Sequence, residues 1–431
     1  MLLNHRLQHA VGQGFFHSGD LFEDGQLRHR YVYDCGAMQK YRVAREHRIK
    51  SYLRRTGARS PLHTLFLSHV HADHLNGVEQ LLDGKSGLAV DTIMLPLVNV
   101  ADRLIAYART VVEDGASAQS EFYRTFTIDP TAALSRFEPR QILFVEPGNR
   151  DDGAPGGDDR PIGGPEGGGV LFGPEGEGGP AWLLVGTGRV RWHDPRVQPI
   201  LPAKATQAVV IPDTMALMTP AAQQEWILVP FVDPTVAAHR KAFLNALAAA
   251  RKLSRRKLDA WLAVTANIQQ LVTNDLSDLA GAYAAVARDL NLTSMCLYSG
   301  PRATPAVPVL HHVHFGRSSR CRHGGRQRVA WLATGDAALK EKQRRADFIE
   351  HYRGLFPQVV TLTLPHHGSD RNFHPELLSA ANPAICVASA DAFSTWKHPG
   401  PHTVQGVCGQ GRLLHVVTSD PRSTVREWVE V

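Results

Sequence analysis

The sequence contains few features of a membrane or secreted protein. No stretch of its 431 residues approaches the run of about 20 apolar residues that crosses a lipid bilayer. The N-terminal segment MLLNHRLQHAVGQG has neither the apolar core nor the cleavage site of a signal peptide. We therefore expect a cytoplasmic protein without a membrane association.

Cysteine is also scarce. The five cysteines show no CxxC spacing and are odd in number, which suits a reducing compartment better than a disulfide framework. Hydrophobic residues make up 43% of the chain and charged residues 20%, as in ordinary globular proteins, so a disordered or fibrous chain is excluded. We expect residues 1–431 to form a single domain. The net charge of +6 favours a polyanionic partner only weakly.

Short apolar runs alternate with helical patterns, and this alternation predicts an α/β fold. The predicted strands cover residues 31–36, 63–68, 91–96, 293–298, 329–333, 359–364 and 384–388. The predicted helices cover residues 40–55, 75–82, 237–264 and 338–352. Two insertions are expected in this framework: a flexible segment rich in glycine and proline at 148–180, and a largely helical one at 215–290.

The chemistry is concentrated directly after the predicted strand 63–68, where the chain reads HxHxDH. Four potential metal ligands lie within six residues: His69, His71, Asp73 and His74. His69 and His71 are separated by one residue, so their side chains can converge on one ion in a turn. Asp73 and His74 lie at the start of the next predicted helix and point to a second ion. Imidazole and carboxylate ligands together suit zinc, manganese or iron better than calcium.

This motif resembles the signature of the metallo-β-lactamase superfamily, and Asp34, in the tripeptide Asp34-Cys35-Gly36, resembles its first-motif aspartate. The resemblance extends to one branch, the soluble hydrolase domain of the competence protein ComEC. Its motifs occur in the family's order at residues 11–14 (VGQG), 291–294 (NLTS), 334–336 (TGD), 366–369 (HHGS) and 398–399 (HP). One position departs from the pattern, because Phe15 stands where the family usually has an acidic residue.

The resemblance implies an αββα sandwich with two divalent ions, zinc or manganese, at strand ends between its halves. Asp336 follows an apolar strand, where a carboxylate can bridge two cations. His398 resembles the last ligand of the family and is assigned to the second ion. The sequence leaves open which of His366 and His367 binds metal; we assign His366 to the metal and His367 to protonation of the leaving group.

The predicted metal ligands are therefore His69, His71, Asp73, His74, Asp336, His366 and His398. The predicted catalytic residues are Asp73, His367 and Asp34, since Asp73 or Asp34 would orient a water or a ligand histidine. The superfamily's usual third-motif histidine has no clear equivalent. The candidates for it are His193, His239, His311, His312 and His314, although ComEC-like members typically lack this ligand and His366 or His367 can take its place.

Two adjacent cations acidify bound water, so the expected reaction is hydrolysis by a hydroxide that the two ions share. The basic segment 317–328 suggests a nucleic acid or another phosphodiester as substrate, because guanidinium groups bind phosphate well. A solvated loop far from the ions is an equally weighted interpretation of this segment. We therefore expect a phosphodiesterase or nuclease.

Two alternatives remain at this stage. One is a hydrolase of a small ester, a lactone or a phosphorylated metabolite, because one fold supports many reactions. The other is a non-catalytic scaffold subunit, against which the intact ligand set argues. A protein partner is conceivable, but the sequence does not identify one.

Overall fold

The computed structural model describes most of the chain. The described residues are 1–57, 61–85, 87–150, 152–155, 161–162, 171–176, 179–193, 206–221, 224–286, 292–305, 309–316, 319–322, 328–392 and 397–431.

The strands run in chain order through the described residues. They are β1 (Leu2–Gln8), β2 (Phe16–Glu23), β3 (Gln26–Cys35), β4 (Leu62–Phe66), β5 (Val90–Pro96), β6 (Gln141–Glu146), β7 (Glu175–Gly176), β8 (Gly179–Pro180), β9 (Leu183–Gly186), β10 (Arg191–Trp192), β11 (Gln207–Pro212), β12 (Met215–Thr219), β13 (Trp226–Asp233), β14 (Ser294–Pro301), β15 (Leu310–Phe315), β16 (Ser319–Arg322), β17 (Ala330–Ala333), β18 (Val359–Thr363), β19 (Ile385–Ser389), β20 (Leu413–Val417) and β21 (Val425–Glu430).

Helices occupy the connections between these strands. They are α1 (Arg42–Thr56), α2 (Ala72–Leu75), α3 (Val78–Leu81), α4 (Val100–Glu113), α5 (Glu121–Ile128), α6 (Pro130–Ser135), α7 (Ala237–Ala250), α8 (Arg255–Leu262), α9 (Thr265–Thr273), α10 (Leu276–Ala284), α11 (Lys342–Tyr352), α12 (Glu376–Ala381) and α13 (Pro401–Gly409). None of these helices is long and apolar enough to cross a lipid bilayer.

The described strands form two large mixed sheets, which confirms the predicted α/β class. The first has the order β10-β11-β6-β5-β4-β3-β2-β1-β21-β15-β16, and its strands from β11 to β3 are parallel. The second has the order β20-β19-β18-β17-β14-β13-β12-β9, and its strands from β20 to β17 are parallel. The parallel strands of each sheet therefore end at a common edge.

The two sheets share a hydrophobic core. Tyr33 and Phe66 of the first sheet belong to the same buried cluster as Met295, Leu297 and Trp331 of the second. Successive side chains of a strand point to opposite faces of its sheet. The residues adjacent in sequence, such as Val32 and Leu65, accordingly pack on the other face of the first sheet.

Helices cover these other faces. The cluster that contains Val32 also includes buried residues of α1, α4, α5 and the helices α7 to α10. On the second sheet, Phe348 and Tyr352 of α11 pack with Leu362 of β18. Helices thus pack against strands of both sheets.

One predicted helix is interrupted. The pattern over 237–264 predicted a continuous helix, and this is wrong, because α7 ends at Ala250 and α8 begins at Arg255. Lys252 has a left-handed backbone, with φ of 53°. The hydroxyl of Ser254 then caps α8 by accepting a hydrogen bond from the Lys257 amide. Apolar periodicity continues across such a break and does not reveal it.

Both predicted insertions contain strands in their described parts. The interval 215–290 begins with β12 and β13 of the second sheet, because 226–233 is a continuous apolar run suited to a buried strand, and helices follow from α7 onward. The glycine-rich interval 148–180 contributes the short hairpin β7–β8. Its remaining residues fall largely outside the described ranges. The same is true of most of the basic segment 317–328, of which β16 pairs with β15 at a sheet edge.

Substitution of Trp331 measures how much the shared core contributes to the free energy of unfolding. Its side chain is 1% exposed and its ring stacks on that of His17, with centroids 3.9 Å apart. Replacing it with alanine removes an aromatic side chain from the core that the two sheets share, so Trp331→Ala should lower the free energy of unfolding by about 3–5 kcal/mol. Urea unfolding followed by circular dichroism measures this change.

Val264→Ala provides the control, since Val264 is 50% exposed and its truncation should change the free energy by less than about 0.5 kcal/mol. Equal effects of the two substitutions would show that the two sheets do not depend on this core.

Candidate metal centre

The predicted site residues come from loops at the carboxyl ends of parallel strands in both sheets. Asp34 is at the end of β3, and the HxHxDH motif follows β4, its parallel neighbour. In the second sheet, Asp336 follows β17, His367 follows β18 and His398 follows β19. Ligand sites of α/β proteins commonly form at this edge of a parallel sheet.

Asp34 supports the site rather than lining it. Its carboxylate is fully buried and accepts hydrogen bonds from the amide and the hydroxyl of Ser68, at 2.6 and 2.7 Å. It also lies 2.7 Å from Nδ1 of His74, which must carry the proton because a carboxylate accepts. In the neutral imidazole, Nε2 of His74 is then the nitrogen with a lone pair that can bind a metal ion.

The other histidines are held in the same way. Nδ1 of His69 donates to the hydroxyl of Ser68 at 2.9 Å, and Nδ1 of His71 contacts the carboxylate of Asp73. Nδ1 of His367 donates to the carbonyl oxygen of Ser389 at 2.7 Å. Each of these contacts leaves Nε2 as the free, basic nitrogen.

Four Nε2 atoms consequently point into one buried space. Those of His69, His71, His74 and His367 have no hydrogen-bond partner among the described residues, although each is buried. Buried polar atoms without a partner are rare in folded proteins and call for an explanation such as a bound ion. This observation, rather than proximity alone, makes the cluster a candidate metal centre.

Two carboxylates complete the donor set. One oxygen of Asp336, Oδ2, lies 3.3 Å from Nε2 of His69, and the other, Oδ1, lies 3.7 Å from Nε2 of His74. Oδ2 of Asp73 is 3.4 Å from Nε2 of His367. The ligand atoms form three overlapping groups: His69 with His71 and Asp73, His69 with His74 and Asp336, and Asp73 with His74 and His367. This cluster could hold a metal ion.

The electrostatics favour a cation at this position. Burial opposes ionisation of Asp73 and Asp336, but nearby histidines outweigh it and hold the pKa of each carboxyl well below its usual range. Burial likewise opposes protonation of His69 and His367, and the adjacent carboxylates raise the pKa of each imidazole instead. The cluster is therefore strongly attractive to positive charge.

Two glycines of the sequence motifs permit the close approach of these loops. Gly335 has φ of 49°, and a side chain there would place its Cβ 2.5 Å from the Ser294 hydroxyl, which accepts a hydrogen bond from the Asp336 amide. Gly14 has φ of 149°, and a Cβ there would lie 2.8 Å from the carbonyl oxygen of Asp73. Both positions therefore exclude larger residues.

Phe15, the position that departs from the family pattern, is buried beside the cluster. Its ring lies parallel to that of His74, with centroids 6.2 Å apart. An aromatic ring here packs against a ligand histidine and adds no further carboxylate to the donor set.

His366 and His367 both adopt left-handed backbone conformations, with φ of 48° and 59°. Such conformations are uncommon outside glycine and concentrate at functional sites. His367 belongs to one of the three ligand groups, and His366 belongs to none of those among the described residues. Nε2 of His366 lies 3.6 Å from Asp336 and 3.4 Å from a guanidinium nitrogen of Arg109.

His398 lies next to this pair but outside the three ligand groups. Its ring centroid is 5.8 Å from that of His366 and 6.4 Å from that of His367. Burial and the neighbouring His367 lower the pKa of His398 to about 4. The assignment of His398 to the second ion stays a prediction.

The candidates for a third-motif histidine lie elsewhere. None of the five belongs to a ligand group found among the described residues. His311 is 3.5 Å from Glu427, and His193 stacks on Phe144. In this structure, the place of a further histidine beside Asp73 and His74 is taken by His367.

Sequence reasoning missed Arg109 and Ser389. Arg109 lies on α4, outside every motif, and Ser389 contributes a backbone carbonyl that carries no sequence signal. Ser68 could have been inferred from its position directly before His69.

In comparisons with known proteins, no family model and no curated protein matched this chain.

Asp34→Asn tests the role of the supporting carboxylate. Asparagine tolerates the left-handed backbone at this position and preserves the shape, but its amide group can donate where the carboxylate accepts. His74 should then favour the tautomer with a proton on Nε2, and affinity for zinc or manganese should fall about 10- to 100-fold. Equilibrium dialysis with metal analysis measures this loss.

The matched control is Asp24→Asn, because Asp24 lies in an exposed turn and contacts the N-terminal ammonium group. It should bind metal like the unmodified protein. Unchanged affinity in Asp34→Asn would mean that Asp34 does not set the protonation of His74.

Proposed function

We propose that this chain is a metal-dependent hydrolase of the metallo-β-lactamase type that acts on the phosphodiester bonds of nucleic acids. The observation that carries this proposal is the convergence, on the carboxylates of Asp73 and Asp336, of four histidine nitrogens that have no hydrogen-bond partner among the described residues. The motifs that resemble the ComEC hydrolase domain supply these same residues.

The arrangement of the two sheets supports an αββα sandwich as the finer description of the fold. The sheets share the cluster that contains Trp331, and helices pack on the opposite face of each. The ligand residues follow strands of both sheets, as they would in a site formed between two halves of a sandwich.

We propose two divalent ions, zinc or manganese, in adjacent positions. His69 and His71 would hold the first, while Asp73, His74 and His367 would hold the second. Asp336 has one carboxylate oxygen near each group and would bridge them. When bound, the ions would supply Lewis acidity and lower the pKa of water at the site.

The remaining residues orient groups and transfer protons. Asp34 positions His74 through its Nδ1 proton, and the Ser389 carbonyl positions His367. His366 and His398 are partly exposed, whereas the proposed ligand histidines are buried, so these two are accessible to a substrate. We propose that His367 binds metal and that His366 faces the substrate, which exchanges the sequence-based metal-binding assignment of these two histidines.

The charge of the site supports an anionic substrate. Two divalent ions carry more positive charge than the three carboxylates of Asp34, Asp73 and Asp336 together, so the loaded site would attract a phosphodiester more strongly than a neutral ester. The excess of basic residues over the whole chain acts in the same direction.

Hydrolysis assays test the proposed activity. Labelled single- and double-stranded DNA and RNA, bis-p-nitrophenyl phosphate and a lactone are incubated with manganese or zinc. We expect metal-dependent cleavage of a nucleic acid, and its loss by at least about 1000-fold in Asp336→Ala, because removal of the bridging carboxylate leaves the cations without a shared ligand. Turnover of the lactone alone would favour the small-metabolite alternative.

The two adjacent histidines can be separated by matched substitutions. His367→Gln should lower the bound metal content, because Nε2 of His367 is in a ligand group. His366→Gln should keep the metal and lower kcat, since His366 lies beside the cluster. Metal analysis and steady-state kinetics on both variants decide between the two roles, and metal loss in His366→Gln alone would restore the original assignment.

A further inference from the structure

Arg109 is a buried cation next to the metal cluster, on a helix that contributes no ligand. Its side chain is 7% exposed. A buried guanidinium requires compensation by opposite charge and hydrogen bonds. Nε of Arg109 donates to Glu113 at 2.8 Å, and Glu113 also accepts from the hydroxyl of Tyr283 at 3.0 Å. Glu113 thus fixes the guanidinium from the side away from the cluster.

The other side of the guanidinium faces the site. Its Nη2 atom donates a hydrogen bond to Nε2 of His366 at 3.4 Å, and that nitrogen is 3.6 Å from Oδ2 of Asp336. The side chain of His366 is 14% exposed, more than that of any proposed ligand histidine. Arg109 therefore reaches the cluster at the place where it is open to a substrate.

Arg109 has no use as a metal ligand and would repel ions bound nearby. A cation is stable beside two divalent cations when an anion lies between them. Guanidinium groups bind phosphate oxygens through parallel, charge-assisted hydrogen bonds, so the chemistry of Arg109 matches an anionic phosphoryl group.

We propose that Arg109 forms an anion-binding subsite that holds a non-bridging oxygen of the phosphoryl group beside the metal cluster. Glu113 and Tyr283 position the guanidinium, and His366 forms the neighbouring wall. This inference rests on the proposed function for its choice of substrate, since the subsite selects charged phosphoryl groups over neutral esters.

Binding of inorganic phosphate tests the subsite without turnover. Calorimetric titration of phosphate into the metal-loaded protein should give an affinity about 10- to 100-fold lower for Arg109→Met than for the unmodified chain, because a charge-assisted pair of hydrogen bonds is lost. Arg109→Lys should fall between the two, since an ammonium group keeps the charge but not the planar fork. Metal content should be the same in all three proteins.

Arg103→Met is the matched control on the same helix. Its guanidinium bonds to the backbone carbonyls of Val98, Thr127 and Ile128, so this substitution should lower the unfolding midpoint and leave phosphate affinity unchanged. If Arg109→Met also loses only stability, or if the unmodified protein binds no phosphate, the subsite is refuted.

A second measurement separates this inference from the proposed function. Hydrolysis of bis-p-nitrophenyl phosphate should fall in Arg109→Met by about the factor lost in phosphate affinity or more, and by a larger factor than hydrolysis of a neutral p-nitrophenyl ester. A protein that cleaves no phosphodiester but binds phosphate through Arg109 would refute the nuclease proposal and keep the subsite. If the protein cleaves nucleic acid but Arg109→Met changes neither phosphate affinity nor phosphodiester hydrolysis, the subsite is refuted and the nuclease proposal stands.

Discussion

Imidazole nitrogens that converge on two buried carboxylates are the constraint on which the rest of the site depends. Burying Asp73 and Asp336 as anions is costly unless positive charge lies close to them. Neighbouring histidines hold the pKa of both carboxyls low, but the Nε2 atoms of four of them have no hydrogen-bond partner among the described residues. A divalent cation would satisfy both groups at once, and this requirement explains why the loops carrying them are so tightly fixed.

The histidine rings are held in place by hydrogen bonds from Nδ1, the nitrogen on the other side of the ring from Nε2. Asp34 receives the Nδ1 proton of His74, and the Ser389 carbonyl receives that of His367. These contacts set the tautomers before any ion binds, so the ligands need little rearrangement. Asp34, His366 and His367 adopt left-handed backbone conformations in these loops. Such conformations cost free energy and are maintained by the surrounding packing.

The helical layer over the first sheet extends the site beyond its motifs. Helix α4 packs against α10, and the contact between Glu113 and Tyr283 joins them. Through this contact, helices that carry no metal ligand determine where Arg109 lies. The same layer therefore contributes to the core and places a cation beside the candidate metal centre.

The sequence alone was enough to predict the α/β class, seven of the 21 strands of the described residues and the clustering of the HxHxDH residues, because each depends on residues that are close in the chain. Strand periodicity is local, and His69, His71, Asp73 and His74 lie within one loop and one helical turn. The joining of this loop to Asp336 was expected only through a family resemblance.

Tertiary structure decided the relations between distant segments. Only the path of the chain after β18 shows that His367, rather than His366, enters a ligand group, since adjacent residues are equivalent in a pattern but diverge in space. The same holds for Arg109, which meets His366 across 257 residues of sequence. Local patterns encode which groups are present, whereas packing of helices and sheets determines which of them meet.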